Sequence, residues 1–157
     1  FHISRPDRKG ENMNNLKQTV GFLQNVPLFQ GLNNRQLEHL AKRMVERQYS
    51  AGQPIVLQGT GGEGFFVIVS GKAGAFRQRS DGEKIAVNTF GPTDFFGELA
   101  LLDDGLRTAS VVASEPTQCL ALTRWDFLTA LREDAEMSVI ILQELAKRFR
   151  RALDSLE

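Results

Sequence analysis

The chain has 157 residues, and its 19 lysine and arginine side chains are balanced by 19 aspartate and glutamate side chains. A formal net charge of zero argues against a dedicated nucleic-acid or anionic-membrane binder, since both classes usually carry a basic excess. The single cysteine, Cys119, excludes an intrachain disulfide and favours a reducing, cytoplasmic location. No run of 18 apolar residues occurs, so we expect no membrane insertion.

Two helices are predicted at positions 14–47, after a leader, linker or cloning remnant over residues 1–12. The first covers about Asn15 to Asn25 and ends before Pro27, which pushes the preceding residue out of the α region. The second is predicted over Asn34 to Arg47. Its apolar residues recur at the spacing of one helical face, namely Leu37, Leu40, Ala41, Met44 and Val45.

Between positions 48 and 123 the sequence changes to short β-rich runs separated by glycine turns. Ten of the 14 glycines lie between Gly52 and Gly97, where tight turns need a positive φ. Many short strands at near-even spacing predict a β-sandwich or barrel. The predicted strands are 55–57, 65–69, 73–77, 85–90, 109–112 and 118–122. Cys119 falls in the middle of the last one, which favours packed core over a reactive thiol.

Helical periodicity returns at positions 124–156, where a short helix (124–131) and a long helix (135–156) are predicted. Five residues of the long helix follow alternating spacings of 3 and 4, namely Leu142, Leu145, Phe149, Ala152 and Leu156. This apolar seam makes a homodimer through the C-terminal helix an expected contact. Basic residues cluster at 147–151, which we interpret as a solvated face near the negative end of the helix dipole.

Residues 95–111 carry the chemistry of an anion site. Gly97 permits a close backbone approach, and the short helix-forming segment after it would present N–H groups to an anion. Arg107 offers a planar fork of donors that suits a phosphate. Glu98 can accept hydrogen bonds from a sugar hydroxyl, and Thr108 adds a hydroxyl. On these residues alone, a plain helix–turn–strand connection with Arg107 as a surface charge stays an alternative.

Two runs in this segment closely resemble the phosphate-binding cassette of cyclic-nucleotide-binding domains: Phe96-Gly97-Glu98-Leu99-Ala100-Leu101 and Arg107-Thr108-Ala109-Ser110. That family includes the regulatory subunit of cAMP-dependent protein kinase, cyclic-nucleotide-regulated channels and the bacterial catabolite activator protein. The resemblance covers about positions 26–149. It implies an α+β fold, in which an antiparallel jelly-roll β-barrel (a double-stranded β-helix of cupin-like outline) is flanked by N-terminal and C-terminal helices.

The resemblance also implies a role for each residue of the cassette. Arg107 would pair with the exocyclic phosphate oxygens, and Glu98 would bind the ribose 2′-hydroxyl. Thr108 would approach the phosphate or the purine. The ligand-binding set is therefore expected to comprise Gly97, Glu98, Leu99, Ala100, Arg107, Thr108 and Ala109.

The expected ligand is cAMP, the more frequent one in the family, and Thr108 is also compatible with cGMP. In this family the C-terminal helix often covers the base, so Arg148 and Phe149 are candidates for a base lid. The alternative for Arg148 is a solvated charge on the helix, and the alternative for Phe149 is an aromatic residue of the core or of the dimer seam.

We expect a cyclic-nucleotide-binding regulatory sensor module that signals through movement of its C-terminal helix. No cofactor, metal site or catalytic residue is expected, because residues 49–123 contain no histidine for a cupin-type metal centre or a catalytic pair. We expect no direct nucleic-acid binding by this chain, since no helix-turn-helix follows the long helix, and its effector is unknown. Two alternatives are a ligand-free protein-interaction domain and the sensor half of a truncated transcription regulator.

Overall fold

The computed structural model describes residues 8–60, 64–103 and 105–156, with side chains from Asn15 onward. The chain divides into two compact units. One unit is helical and combines the N-terminal segment up to Arg43 with the C-terminal segment from Leu131. The other, Met44–Ala130, contains the β-structure. Residues 1–7 of the predicted leader lie outside the described residues.

The helices are α1 (Arg8–Gln24), α2 (Asn34–Ala41), α3 (Arg124–Glu133) and α4 (Ala135–Asp154), with 3-10 helices at Pro27–Phe29 and Glu98–Leu101. The first helix begins at Arg8 rather than at the predicted Asn15. The sequence did not indicate this start, because the residues before Asn15 are mostly polar and show no apolar periodicity. Among the described residues, no helix is long and apolar enough to cross a membrane.

The prediction of a second helix reaching Arg47 is wrong. Helix α2 ends at Ala41, and strand β1 covers Val45–Tyr49. Every residue of β1 pairs with strand β8 (Thr117–Thr123), from Val45 opposite Ala121 to Tyr49 opposite Thr117. This distant pairing overrides the local helical pattern, and Val45, expected in the core stripe, is 39% exposed.

In the described part of the chain, eight antiparallel strands form two four-stranded sheets. The remaining strands are β2 (Pro54–Val56), β3 (Gly64–Ser70), β4 (Ala73–Gln78), β5 (Lys84–Phe90), β6 (Phe95–Phe96) and β7 (Ser110–Ala113). The strand orders are β1-β8-β3-β6 in the first sheet and β2-β7-β4-β5 in the second sheet. These crossovers are those of the predicted jelly roll, which is therefore confirmed. The two-residue strand β6 was too short to predict from a pattern.

The core of the β unit combines buried side chains from strands of both sheets. In the first sheet Phe66 lies opposite Ala121 and Ile68 opposite Cys119. The buried cluster also contains Ala73, Ala75, Phe96 and Val111. Cys119 is fully buried, as predicted, and burial raises the pKa of its thiol to about 11.

Candidate functional site

The predicted cassette connects the two sheets. It leaves the first sheet after β6, which pairs with β3, and enters the second sheet at β7, which pairs with β4. Gly97 has a φ of +85°, a left-handed conformation that glycine adopts without strain. The predicted short helix follows as the 3-10 helix Glu98–Leu101, with Glu98 in its first turn.

A cavity of about 390 Å³ lies against this connection, within the size range of small-molecule sites. All seven residues of the predicted ligand-binding set line it, and strand residues complete its walls. These wall residues are Val56, Ala75, Phe90, Phe96 and Val111. Sequence reasoning missed the walls, because strand alternation marks such residues only as inward-facing and the sheet register decides which of them meet the cassette.

Arg107 is anchored through its backbone on the segment that follows β2. Its N–H donates to the carbonyl oxygen of Thr60 (2.9 Å), and its own carbonyl oxygen accepts from the N–H of Gly59 (2.8 Å). The neighbouring β7 is tied to the same segment, since the N–H of Gln58 donates to Ser110 Oγ (2.8 Å). These bonds fix the start of the Arg107 side chain at the cavity.

The guanidinium of Arg107 is held as well. Its Nη2 donates to the carbonyl oxygen of Gly64 at 2.5 Å, and the side chain is half-buried. A guanidinium carries five donors in a rigid fork, and the Gly64 carbonyl oxygen fixes the orientation of that fork. The cavity is therefore lined by an oriented cation.

Gly97 matters for space as well as for its backbone angle. A Cβ at this position would lie 2.6 Å from Nη1 of Arg107 and 2.6 Å from the carbonyl oxygen of Gly64. Both distances are too short for any side chain, so Gly97 keeps room for the guanidinium. The sequence predicted a close backbone approach here, and the neighbour that the structure places there is Arg107.

The other members of the predicted set also line the cavity and differ in burial. Glu98, Ala100 and Ala109 are half-buried, and Thr108 is exposed. Leu99 is 57% exposed, and Leu106, a lining residue that the sequence did not suggest, is 66% exposed. The set therefore combines a cation, a carboxylate and a hydroxyl with an apolar rim.

The two candidate lid residues lie on α4, in the helical unit. Arg148 is half-buried, and Phe149 is 64% exposed. Their role over a base depends on the placement of one unit against the other, and it stays a prediction.

Comparison with known proteins identifies the family. The sequence model of the cyclic nucleotide-binding domain family matches residues 46–134 of this chain. The cyclic AMP receptor protein of Thermus thermophilus is 37% identical over 126 residues, which are 80% of this chain and 58% of the relative. The chain therefore belongs to the cyclic nucleotide-binding domain family, as the cassette indicated.

Solved structures agree with this assignment. The N-terminal domain of a transcriptional regulator from Streptomyces coelicolor A3(2) is 31% identical, with a TM-score of 0.78 over 85% of this chain and 95% of that domain. The Thermus thermophilus catabolite activator protein is 37% identical, with a TM-score of 0.67 over 83% of this chain and 62% of that protein. This chain thus spans about three fifths of the length of the Thermus relatives.

Proposed function

We propose that this chain binds a cyclic nucleotide in the cavity of the β unit, with cAMP as the preferred ligand. The chain would then act as a regulatory sensor rather than as an enzyme. One observation carries the proposal: an oriented arginine and an acidic side chain line the same cavity of about 390 Å³. A cyclic nucleotide presents the matching groups, a phosphate anion and a ribose hydroxyl.

Arg107 is the phosphate ligand in this proposal. Its guanidinium would form bidentate, charge-assisted bonds to the exocyclic phosphate oxygens. The backbone adds a donor, because the first hydrogen bond inside the 3-10 helix runs from Ala100 N–H to the Gly97 carbonyl oxygen (3.0 Å). The N–H of Leu99 precedes that bond, so it has no acceptor within the helix and suits a phosphate oxygen.

The remaining lining residues fit the sugar and the base. The Glu98 carboxylate would accept a hydrogen bond from the ribose 2′-hydroxyl, and Thr108 would reach the phosphate or the purine. The apolar walls at Val56 and Val111 suit the uncharged parts of the ligand. The name of the 37% identical relative, a cyclic AMP receptor protein, favours cAMP, and Thr108 keeps cGMP as the alternative.

Calorimetric titration of the chain with cAMP, cGMP and a cyclic dinucleotide tests the ligand directly. We expect saturable binding of cAMP that is tighter than that of cGMP, and a rise in the unfolding temperature with added ligand. The absence of both binding heat and thermal shift with all three compounds would refute the sensor function. That outcome would favour the alternative of a ligand-free interaction domain.

We further propose that α4 passes the signal on by changing position when the ligand binds, with Arg148 or Phe149 covering the base. A ligand shifts such an equilibrium only by the difference in its affinity for the two positions. Hydrogen exchange of residues 142–156 with and without cAMP tests this. We expect added protection in the wild type and a smaller gain in Arg148→Ala or in Phe149→Ala, with Val87→Ala as the exposed apolar control. Equal gains in all four proteins would refute the lid.

A second copy of the chain is the proposed partner of α4. The apolar side chains of α4 that are about half or more exposed are Val139, Leu142, Phe149 and Leu153, and Leu156 just after the helix is exposed as well. Three of these residues belong to the predicted seam. Burying such a stripe against its symmetry mate would give a short two-helix contact. Sedimentation analysis should give a dimer for the wild type and a monomer for Leu142→Lys. A monomeric wild type at high concentration would refute the dimer.

One relative is a cyclic AMP receptor protein, and another is the N-terminal domain of a transcriptional regulator. They support the reading of this chain as the sensor part of a larger regulator, whose output would be supplied elsewhere. Binding of cAMP by this chain alone, without any binding of DNA, is the result expected for such a sensor.

A further inference from the structure

Gln36 is a buried polar residue that bonds the starts of two helices. It is 2% exposed and belongs to the capping box of α2. In this box the N–H of Asn33 donates to Gln36 Oε1 (2.9 Å) and the N–H of Gln36 donates to Asn33 Oδ1 (2.9 Å). Its remaining amide group, Nε2, donates to Oδ2 of Asp134 at 3.3 Å.

Asp134 is the N-cap of α4. Its Oδ1 accepts from the N–H of Met137 (3.1 Å), while its Oδ2 accepts from Gln36. The Met137 hydrogen bond lowers the pKa of Asp134, and the Gln36 amide and the charge of Arg35 lower it further. Both carboxylate oxygens are therefore engaged, one within α4 and one toward α2.

The first part of α4 is packed tightly in the helical unit. Met137 is fully buried and Ile141 is 2% exposed. A Cβ at Gly31, in the turn before α2, would lie only 2.6 Å from Cγ2 of Ile140. The buried apolar residues of α4 lie in its first half, whereas all of its exposed apolar residues except Val139 lie from Leu142 onward, so the two halves differ in how firmly they are held.

We propose that Gln36 is a positioning residue, which fixes the start of α4 relative to α2 and thereby sets how far α4 responds to a bound cyclic nucleotide. The second part of this statement rests on the proposed function. A shift of α4 past α2 must break the Gln36–Asp134 hydrogen bond, whereas a change in the exposed half of α4 leaves it intact. The bond therefore confines movement to the second half of the helix or carries α2 along with it.

A charge-swapped pair separates this hydrogen bond from general packing. In Gln36→Glu two carboxylates face each other, and in Asp134→Asn two amide groups compete as donors. The double variant Gln36→Glu/Asp134→Asn restores the bond with the roles exchanged: the Asn amide donates to the Glu carboxylate. It also keeps the acceptors for the Asn33 and Met137 N–H groups, since glutamate is a usual residue at this position of a capping box.

Hydrogen exchange in the ligand-free protein gives the first measurement. We expect the amides of residues 137–141 to exchange about tenfold faster in Gln36→Glu and in Asp134→Asn, the loss expected of one hydrogen bond to a charged group. The double variant should return to within about threefold of the wild type. Gln24→Leu, an exposed change in the same unit, should leave the exchange unaltered.

The second measurement adds cAMP and follows the exchange of residues 137–156. We expect the ligand-induced change of the wild type to spare residues 137–141, to spread to them in Gln36→Glu because the start of α4 is then released, and to spare them again in the double variant. Single variants that exchange like the wild type, or a double variant as fast as the singles, would overturn the positioning role. A wild type that binds no cyclic nucleotide would refute the proposed function, and the ligand-free exchange would still decide the positioning role.

Discussion

Replacement of Arg107 by alanine is the most direct test of the candidate site. The change removes the oriented guanidinium that lines the cavity and bonds the Gly64 carbonyl oxygen at 2.5 Å. Loss of charge-assisted hydrogen bonds to a phosphate costs about 1.5–3 kcal/mol. A loss of about 2.8 kcal/mol corresponds to roughly 100-fold weaker binding.

Two further variants make the measurement specific. Arg107→Lys keeps the positive charge but loses the planar fork, so we expect an intermediate loss of about tenfold, or about 1.4 kcal/mol. Arg77→Ala removes an exposed arginine of β4 that does not line the cavity, and it should bind as the wild type does.

Calorimetry with cAMP gives the three affinities, and thermal unfolding checks that each variant is folded. Arg107→Ala should lose about 1 kcal/mol of stability, because the Gly64 carbonyl oxygen loses a donor. Titration at a temperature well below unfolding separates this effect from binding. A folded Arg107→Ala variant whose affinity drops by less than threefold would refute the role of Arg107 as the phosphate ligand.

Three other changes probe the surroundings of the site and the core. Gly97→Ala should weaken cAMP binding by at least tenfold, since its Cβ would lie 2.6 Å from Nη1 of Arg107, and unchanged calorimetric affinity would contradict this. Thr93 has a φ of +73°, which is strained for a β-branched residue. Thr93→Gly should therefore raise the free energy of unfolding by about 1 kcal/mol in denaturant titrations, whereas a loss would mean that glycine's chain entropy dominates. The Cys119 thiol has its pKa raised by burial from 9.0 to about 11, so the folded state holds the proton more tightly than the unfolded chain. Stability should accordingly fall as the pH rises from about 9 to about 11, and Cys119→Ala should flatten that part of the profile.

The cassette could be predicted from sequence because its chemistry is local. Gly97, Glu98 and Arg107 lie within one short connection, so their spacing alone brings a backbone turn, a carboxylate and a guanidinium close together. The cavity walls could not be predicted in this way. Val56, Phe90 and Val111 come from separate strands, and only the pairing of those strands brings them to the same cavity.

The end of α2 shows the same limit in the fold. Leu37, Leu40 and Ala41 follow the helical spacing and are buried, and the pattern continues into residues that form β1. These residues, Val45–Tyr49, pair instead with strand β8, which begins at Thr117. A periodicity within one window carries no information about a strand so far along the chain.

Local patterns in the sequence by themselves predicted helices at both ends and short strands between them, since these patterns depend on near neighbours in the chain. The resemblance to the cyclic-nucleotide-binding domain family implied the jelly roll and the candidate ligand residues. Only the tertiary structure decided how these residues are held. The Gly64 carbonyl oxygen orients Arg107 from 43 positions away, and Gln36 bonds Asp134 from 98 positions away. The charges of the chain sum to zero, and the hydrogen bond from Arg107 to Gly64 holds one positive charge at the cavity.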